Sequence, residues 1–169
     1  MSKFQSTLEY ITNKVYEPNQ LTVTSVQEEA QNAKYGAGTF KLGSKTVRFR
    51  VANTTPTKIG QFVAFWEKDQ KNVNQPYYYK SSPDLLVITT FESNNKFGQF
   101  VFPKDVLLNK KILKSHSSKG KMGIRVYPSW DTPTSTQAIK TQSWQQKYFI
   151  DFSESKEITN QKINELYSI

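Results

Sequence analysis

Apolar residues recur at helical spacing near both ends of the chain and at alternating spacing in the middle. The first helix is predicted by a stripe that includes Phe4 and Leu8, with Ser2 as a candidate N-cap and Pro18 just past the end. A last amphipathic helix is predicted in the same way by Ile158 and Ile163. Both ends of the chain are therefore expected to pack as helices against a central unit.

The alternating runs in the middle predict strands. GTFKL and TVRFRV flank Gly43-Ser44 and predict a hairpin that points Arg48 and Arg50 away from the face of Val47 and Phe49. The run QFVAFW is apolar on both faces and predicts a buried central strand, with Trp66 in the core. DLLVITTF, GQFVFP and MGIRVYP predict three further strands.

Two more helical segments complete the pattern, a short one in KDVLLNKKIL and a long one in TPTSTQAIKTQSWQQKYF with Pro133 near its first turn. The segment LTVTSVQEEAQNAKYGAG begins with β-branched residues, and its periodicity leaves strand and helix open. The expected fold is mixed α/β (α+β), with a central mixed sheet of four to five strands flanked by helices. A single domain is expected over residues 1–169.

The composition excludes several kinds of functional site. The chain has no cysteine, which excludes disulfides, thiolate zinc sites and a cysteine nucleophile. No apolar run approaches the ~20 residues of a membrane helix, and no export signal is visible, so a cytoplasmic protein without membrane contact is expected. The single histidine, His116, lies among lysines and has no evident carboxylate partner, and neither a P-loop nor a GxGxxG motif is present.

The net charge of +9 is concentrated in the middle of the chain. Residues 1–33 and residues 151–169 each carry a net charge of −2, which leaves +13 for the segment between them. Such a concentration indicates a polyanionic partner, and nucleic acid is the natural one. The candidate nucleic-acid-binding residues are Arg48, Arg50, Lys58, Lys104, Lys110, Lys111, Lys114, Lys119, Lys121, Arg125, Tyr127 and Trp130.

Aromatic residues lie close to these cations in sequence and favour single-stranded DNA or RNA over duplex, because unpaired bases stack on aromatic rings. Trp144 and Tyr148 fit a base platform or the margin of the core. The cations on or beside predicted strands fit phosphate contact or pairing with an acid, and they are Arg48, Arg50, Lys58 and Arg125, with Asp84, Glu28 or Glu29 as the acid. TTPTK fits a phosphate cradle or a plain turn. No zinc finger, helix-turn-helix or basic recognition helix is visible.

Several blocks of the sequence carry a resemblance to a known family. GTFKL, FRVANTTPTKIGQFVAFW, PDLLVITT, GQFVFPKDVLLNKKIL and GKMGIRVYPSWDTPTSTQAIKTQSWQQKYF, between Gly38 and Phe149, resemble the MepB family in this order. The resemblance implies a fold similar to the PD-(D/E)XK, or restriction-endonuclease-like, group. It also implies an association with a multidrug export operon.

The nuclease motif is incomplete in this chain. Asp84 fits the first acid and Lys104 the lysine, but Phe102 stands where the second acid is expected, and Phe102 cannot bind Mg²⁺. Glu28 or Glu29 could supply a relocated acid. The site is therefore expected to be degenerate, with no metal or other cofactor.

Three functions follow from these observations. The first is binding of single-stranded nucleic acid without catalysis. The second is an active Mg²⁺-dependent nuclease that uses Asp84, Lys104 and either Glu28 or Glu29. The third is a small-molecule binder connected with multidrug export, which would use an aromatic pocket. Salt dependence separates the first from the third, because phosphate contacts weaken as salt rises whereas an apolar pocket barely responds.

Overall fold

Strands form the middle of the protein and helices its ends in the computed structural model, which describes residues 1–168. In chain order the strands are β1 (Val23–Glu28), β2 (Gly38–Leu42), β3 (Lys45–Val51), β4 (Asn53–Thr54), β5 (Gln61–Ala64), β6 (Glu67–Lys68), β7 (Asn74–Gln75), β8 (Leu85–Phe91), β9 (Phe97–Pro103), β10 (Gly123–Val126) and β11 (Phe149–Asp151). The α-helices are α1 (Lys3–Ile11), α2 (Lys104–Asn109), α3 (Thr136–Gln145) and α4 (Lys156–Tyr167).

The central sheet is mixed, as predicted. Within residues 1–168 it has six strands in the order β1-β2-β3-β8-β9-β11. β3 and β8 run parallel, whereas the other neighbours are antiparallel. The predicted hairpin at Gly43-Ser44 is confirmed as β2 and β3. The sheet exceeds the expected four to five strands because the undecided segment forms β1 and the end of the predicted long helix forms β11.

The run QFVAFW forms a strand with neighbours on both sides, as predicted, but this strand does not belong to the central sheet. β5 lies in a separate three-stranded sheet of the described chain, in the order β10-β5-β4. Its second apolar face is covered by local contacts, such as Phe62 against Tyr35 with ring centroids 6.1 Å apart, and not by the central sheet. Trp66 is half-buried beneath the Lys68 ammonium and does not belong to the core.

The two terminal helices cover one face of the central sheet. Helix α1 begins at a capping box on Ser2, as predicted, and continues through a π-helical turn and a 3₁₀ turn, so Pro18 lies inside the last turn rather than beyond it. Ile11 from α1 and Ile163 from α4 pack with Val47 and Phe49 of β3. Alternation in β3 thus places its apolar residues under the terminal helices.

The other face of the central sheet holds the three-stranded sheet, α2 and α3. Its core joins Ile88 and Phe102 of the central sheet to Val63 of β5 and Val126 of β10. Helix α3 begins at Thr136 with Ser135 as its N-cap, so Pro133 lies just before the first turn, near which it was predicted. No helix within residues 1–168 is long and apolar enough to cross a membrane.

A chain of buried hydrogen bonds joins the two terminal helices to the sheet. The hydroxyls of Tyr16 and Tyr167 lie 2.9 Å apart, and the Tyr167 hydroxyl donates to Gln99 Oε1 at 2.7 Å. The Gln99 amide then donates to Thr89 Oγ1 at 3.1 Å. Burial raises the pKa of Tyr16 to about 12, so these groups stay neutral in the folded protein.

We predict that Tyr167→Phe destabilises the protein by ~1–3 kcal/mol, because Gln99 Oε1 and the Tyr16 hydroxyl each lose a buried partner. Urea denaturation followed by circular dichroism measures the change. Tyr10→Phe is the control, since Tyr10 packs at the margin of the same core and is partly exposed. Equal midpoints for both variants would contradict the prediction.

Candidate nucleic-acid interface

The predicted nuclease motif lies at the start of β8 and the end of β9. The Lys104 amide donates to the Asp84 carbonyl at 3.0 Å, so the sequence correctly brings these two residues together. The Asp84 carboxylate, however, accepts from the Thr46 amide at 2.9 Å and from the Thr46 hydroxyl at 3.1 Å. The Thr46 amide holds the pKa of Asp84 below its usual range. Asp84 therefore ties β8 to β3.

Phe102 occupies the place of the second acid and belongs to the core. It pairs with Leu86 across the sheet, which puts it on the same face as Asp84. The side chain is 0% exposed, and its ring packs against Trp144 with centroids 5.5 Å apart. A carboxylate at this position would have to displace an aromatic cluster.

The acids proposed as replacements have other partners. Glu29 lies between two guanidiniums, with Oε1 2.8 Å from Arg50 Nη1 and 3.4 Å from Arg48 Nε. Glu28 is exposed and accepts from the Ser2 hydroxyl at 2.9 Å. Among residues 1–168, no three His, Asp or Glu side chains lie close enough together to hold a metal ion. The absence of a cofactor stays a prediction.

Arg50 is buried, and its place in the predicted binding surface is wrong. The side chain is 0% exposed, and its guanidinium donates to five acceptors. They are Glu29 Oε1, Asn32 Oδ1, the Tyr77 hydroxyl and the carbonyls of Phe49 and Ala64. The alternative of pairing with an acid is the one realised, because β3 points Arg50 into the layer between the two sheets.

Arg48 is held in the same cluster. Its guanidinium carbon lies 3.6 Å from the centroid of the Tyr77 ring, and the side chain is 14% exposed. Burial acts to raise the pKa of Glu29, but Arg50 and Arg48 outweigh it and hold that pKa below its usual value of 4.5. The cluster is therefore ionised at neutral pH.

A basic groove lies between the three-stranded sheet and α3, with a volume of about 700 Å³. Its cations are Lys58, Lys110, Lys121 and Arg125, and none of the described residues that line it is acidic. Hydroxyls and aromatic rings also line it, from Thr57, Thr134, Ser135, Thr141, Phe62, Tyr127 and Trp144, together with aliphatic residues such as Ile59, Ile112 and Ile124. The groove thus combines the groups that bind phosphates with the groups that contact bases.

The walls of the groove are fixed by hydrogen bonds. Arg125 on β10 donates to Thr55 Oγ1 at 3.0 Å and to the Ile59 carbonyl at 3.4 Å, which holds the turn that carries Lys58. Gln145 at the end of α3 accepts from the Tyr127 amide and donates to the Arg125 carbonyl. The turn at TTPTK is therefore part of a built wall, with Thr57 and Lys58 facing the groove.

The structure divides the predicted surface residues into two sets. Lys58, Lys110, Lys121, Arg125 and Tyr127 line the groove, although Tyr127 is only 9% exposed. The others lie outside its lining, namely Lys104 over Tyr79, Lys114 over Tyr78, Trp130 under Lys96, and the exposed Lys111 and Lys119. The charge cluster in the sequence is thus only partly a cluster in space.

Sequence reasoning missed the contribution of α3 to the groove. Gln137, Thr141 and Trp144 occur at spacings of four and three, which places them on one helical face. All three line the groove. The signal available in the sequence was that polar and aromatic residues share one face of a weakly apolar helix, which is typical of a helix that lines a binding surface.

We predict that Glu29→Gln destabilises the protein by about 3 kcal/mol at pH 7, because it leaves Arg50 buried without its anionic partner. The loss should shrink on acidification. A carboxylate with a depressed folded-state pKa stabilises the wild type above pH 4.5, and this stabilisation disappears as the pH falls through the folded-state value.

Urea denaturation at pH 7 and at pH 3 measures this dependence, with Glu28→Gln as the matched control on the exposed neighbour. A constant difference between Glu29→Gln and the wild type at both pH values would contradict the prediction.

Comparison with known proteins identifies the family. The MepB-like family model matches residues 29–151. A solved structure described as the crystal structure of MepB aligns with a TM-score of 0.77 and 39% identity, covering 92% of this chain and 100% of that one. The homing endonuclease I-Ssp6803I aligns with a TM-score of 0.44 and 14% identity, covering 84% and 85% of the two chains. No curated protein matches the chain. As the sequence resemblance predicted, the chain belongs to the MepB-like family.

Proposed function

We propose that the protein binds single-stranded DNA or RNA in the basic groove and does not hydrolyse it. The observation that carries this proposal is the groove lining, which has four cations from three separate segments and no acid among its described residues. Cations that only maintain solubility are usually interspersed with acids. Their convergence on one concave surface supports a polyanionic ligand.

The aromatic part of the lining supports an unpaired strand. Phe62 pairs with Arg125 across β5 and β10, and the Lys110 ammonium lies 5.2 Å from the centroid of the Trp144 ring, so a strand whose phosphates contact these cations has rings within reach of its bases. A duplex keeps its bases stacked inside and cannot use these rings. Hydroxyls such as those of Thr134 and Ser135 add hydrogen-bonding groups for phosphate or sugar oxygens.

The degenerate motif supports binding without hydrolysis. A metal-dependent nuclease needs carboxylates that are free to hold Mg²⁺. Asp84 accepts two hydrogen bonds from Thr46, Glu29 is paired with two arginines, and Phe102 fills the remaining position with an aromatic ring. The active-nuclease alternative would require Asp84 to leave Thr46, and would also require either Glu29 to leave its arginines or the exposed Glu28 to leave Ser2 and reach the site.

A neutral drug is less well matched to this groove. The volume of about 700 Å³ lies in the range of small-molecule pockets, but such pockets are mostly apolar with few polar groups. This lining also has apolar residues such as Ile59, Ile112 and Ile124, but its four cations without a described acid favour an anionic ligand over a neutral one. A cytoplasmic location and a single domain stay predictions from the sequence. The sequence does not specify the oligomeric state.

We predict micromolar or tighter binding of single-stranded RNA or DNA at low salt, with weaker binding of duplex of the same length. Removing two groove cations in Lys58→Ala, Lys121→Ala should reduce the slope of log affinity against log salt by about 1.4, since each phosphate contact to a single strand contributes ~0.7. Fluorescence anisotropy at several salt concentrations measures both quantities.

Lys14→Ala, Lys156→Ala is the matched control, because both lysines are exposed on the terminal helical segments that cover the opposite face. This variant should keep the wild-type slope. Salt-independent binding of an apolar drug, with no oligonucleotide binding, would instead support the small-molecule alternative.

We predict that oligonucleotides stay intact when Mg²⁺ or Mn²⁺ is added to the bound complex. Denaturing gels of end-labelled RNA and DNA after prolonged incubation provide the measurement. Asp84→Asn is the diagnostic variant, because metal-dependent cutting by the wild type that disappears in Asp84→Asn would establish an active nuclease and overturn the proposal.

A further inference from the structure

The basic groove is adjacent to a second depression of about 370 Å³. The second depression lies between α2 and the turn after α3, and its lining includes Asn109, Lys147 and Tyr148. It also includes one acid, Asp105, which accepts a hydrogen bond from the Tyr79 hydroxyl. Lys110 and Trp144 line both depressions and so form the ridge between them. A strand that leaves the groove in this direction has to pass over this pair.

Trp144 has one side in the core and another toward the solvent. Its ring packs on Phe102 with centroids 5.5 Å apart and a tilt of 46°, and Phe102 in turn contacts Tyr148 at 5.9 Å. The indole is half-buried, and the Lys110 ammonium lies 5.2 Å from its centroid. The core therefore fixes the ring, while a flexible lysine is the group that lies over it.

We infer that Trp144 is a base-stacking position of a single-stranded nucleic acid, and that Lys110 covers the ring until a phosphate draws the ammonium away. The inference rests on the proposed function and names where one base of the strand binds. A lysine over an indole is a weak contact, worth roughly 0.5–1 kcal/mol at an exposed site. Base stacking and a charge-assisted phosphate contact together exceed it.

The ridge also explains why Trp144, and not another tryptophan, takes this role. Trp130 packs edge-on against Phe149 and lies under Lys96, outside both linings. Trp66 lies under Lys68 at 5.2 Å, the same distance as in the Lys110 pair, but it lines neither depression. Trp66 with Lys68 is thus a matched pair elsewhere on the surface.

The test compares a single-stranded oligonucleotide with an abasic one of the same length, which keeps the phosphates and removes the bases. Trp144→Leu should weaken binding of the base-bearing strand by about fivefold or more and leave binding of the abasic strand unchanged. Trp66→Leu should change neither. Thermal unfolding of each variant checks that Trp144→Leu is folded, and Trp144→Phe replaces it otherwise.

Lys110→Ala tests the second half of the inference. It should reduce the salt slope by about 0.7 while the difference in affinity between the base-bearing and abasic strands persists or grows, because the ring is then uncovered. Lys68→Ala is its control and should bind as the wild type does.

Indole fluorescence gives a direct signature. In Trp66→Phe, Trp130→Phe the remaining tryptophan is Trp144. Its emission should be quenched by the base-bearing strand and not by the abasic strand. This measurement does not depend on the stability of a Trp144 variant.

The inference is overturned if Trp144→Leu or Trp144→Phe weakens both strands equally, or if the Trp144 emission responds equally to both. The proposed function would survive that result, since the wild type would still bind in a salt-dependent manner. Failure of the wild type to bind either strand would overturn the proposed function itself.

Discussion

The buried Arg50 guanidinium determines how the layers of this protein meet. It leaves β3, pairs with Glu29 after β1, and donates to the Ala64 carbonyl at the end of β5. Its remaining bonds reach the Phe49 carbonyl of its own strand, Asn32 in the same β1–β2 connection as Glu29, and Tyr77 in the loop between β7 and β8. One side chain thus connects the central sheet to the three-stranded sheet and to two loops. A buried ion pair adds little net stability compared with apolar packing, but a buried charge that lacks its partner is costly. Arrangements of the layers that separate Arg50 from Glu29 are therefore strongly disfavoured.

The position of the groove follows from that arrangement. β5 and β10 carry Phe62 and Arg125 into one wall, and Arg50 anchors the end of β5 through Ala64. Gln145 then fixes α3 against β10 with one bond in each direction. The groove is therefore the gap left between two elements whose separation is set by buried polar groups. Such a gap is preorganised, and little ordering free energy is lost when a ligand binds.

The layers also separate charge. The chain ends carry a net charge of −2 each, and the helices within them cover one face of the central sheet. The basic middle of the chain supplies the other face, where the buried ring of Phe102 packs against Trp144 in the wall of the basic groove. One core residue thus holds an aromatic side chain of the groove in place.

The sequence by itself determined the local structure and the family. Alternation and helical spacing located the β2–β3 hairpin, strands β8 and β9 and the terminal helices, because each pattern depends on neighbours within a few residues. It also placed Asp84 beside Lys104. Only the tertiary structure decided the partner of each charge. Arg50, Lys58 and Lys110 are all cations of the basic middle segment, but Arg50 is paired inside the protein and the two lysines line the groove. They differ because a side chain's environment depends on segments far along the chain. For the same reason the sequence did not show that β5 belongs to the three-stranded sheet and not to the central one. Periodicity indicates that both faces of a strand are covered, but it does not indicate which elements cover them.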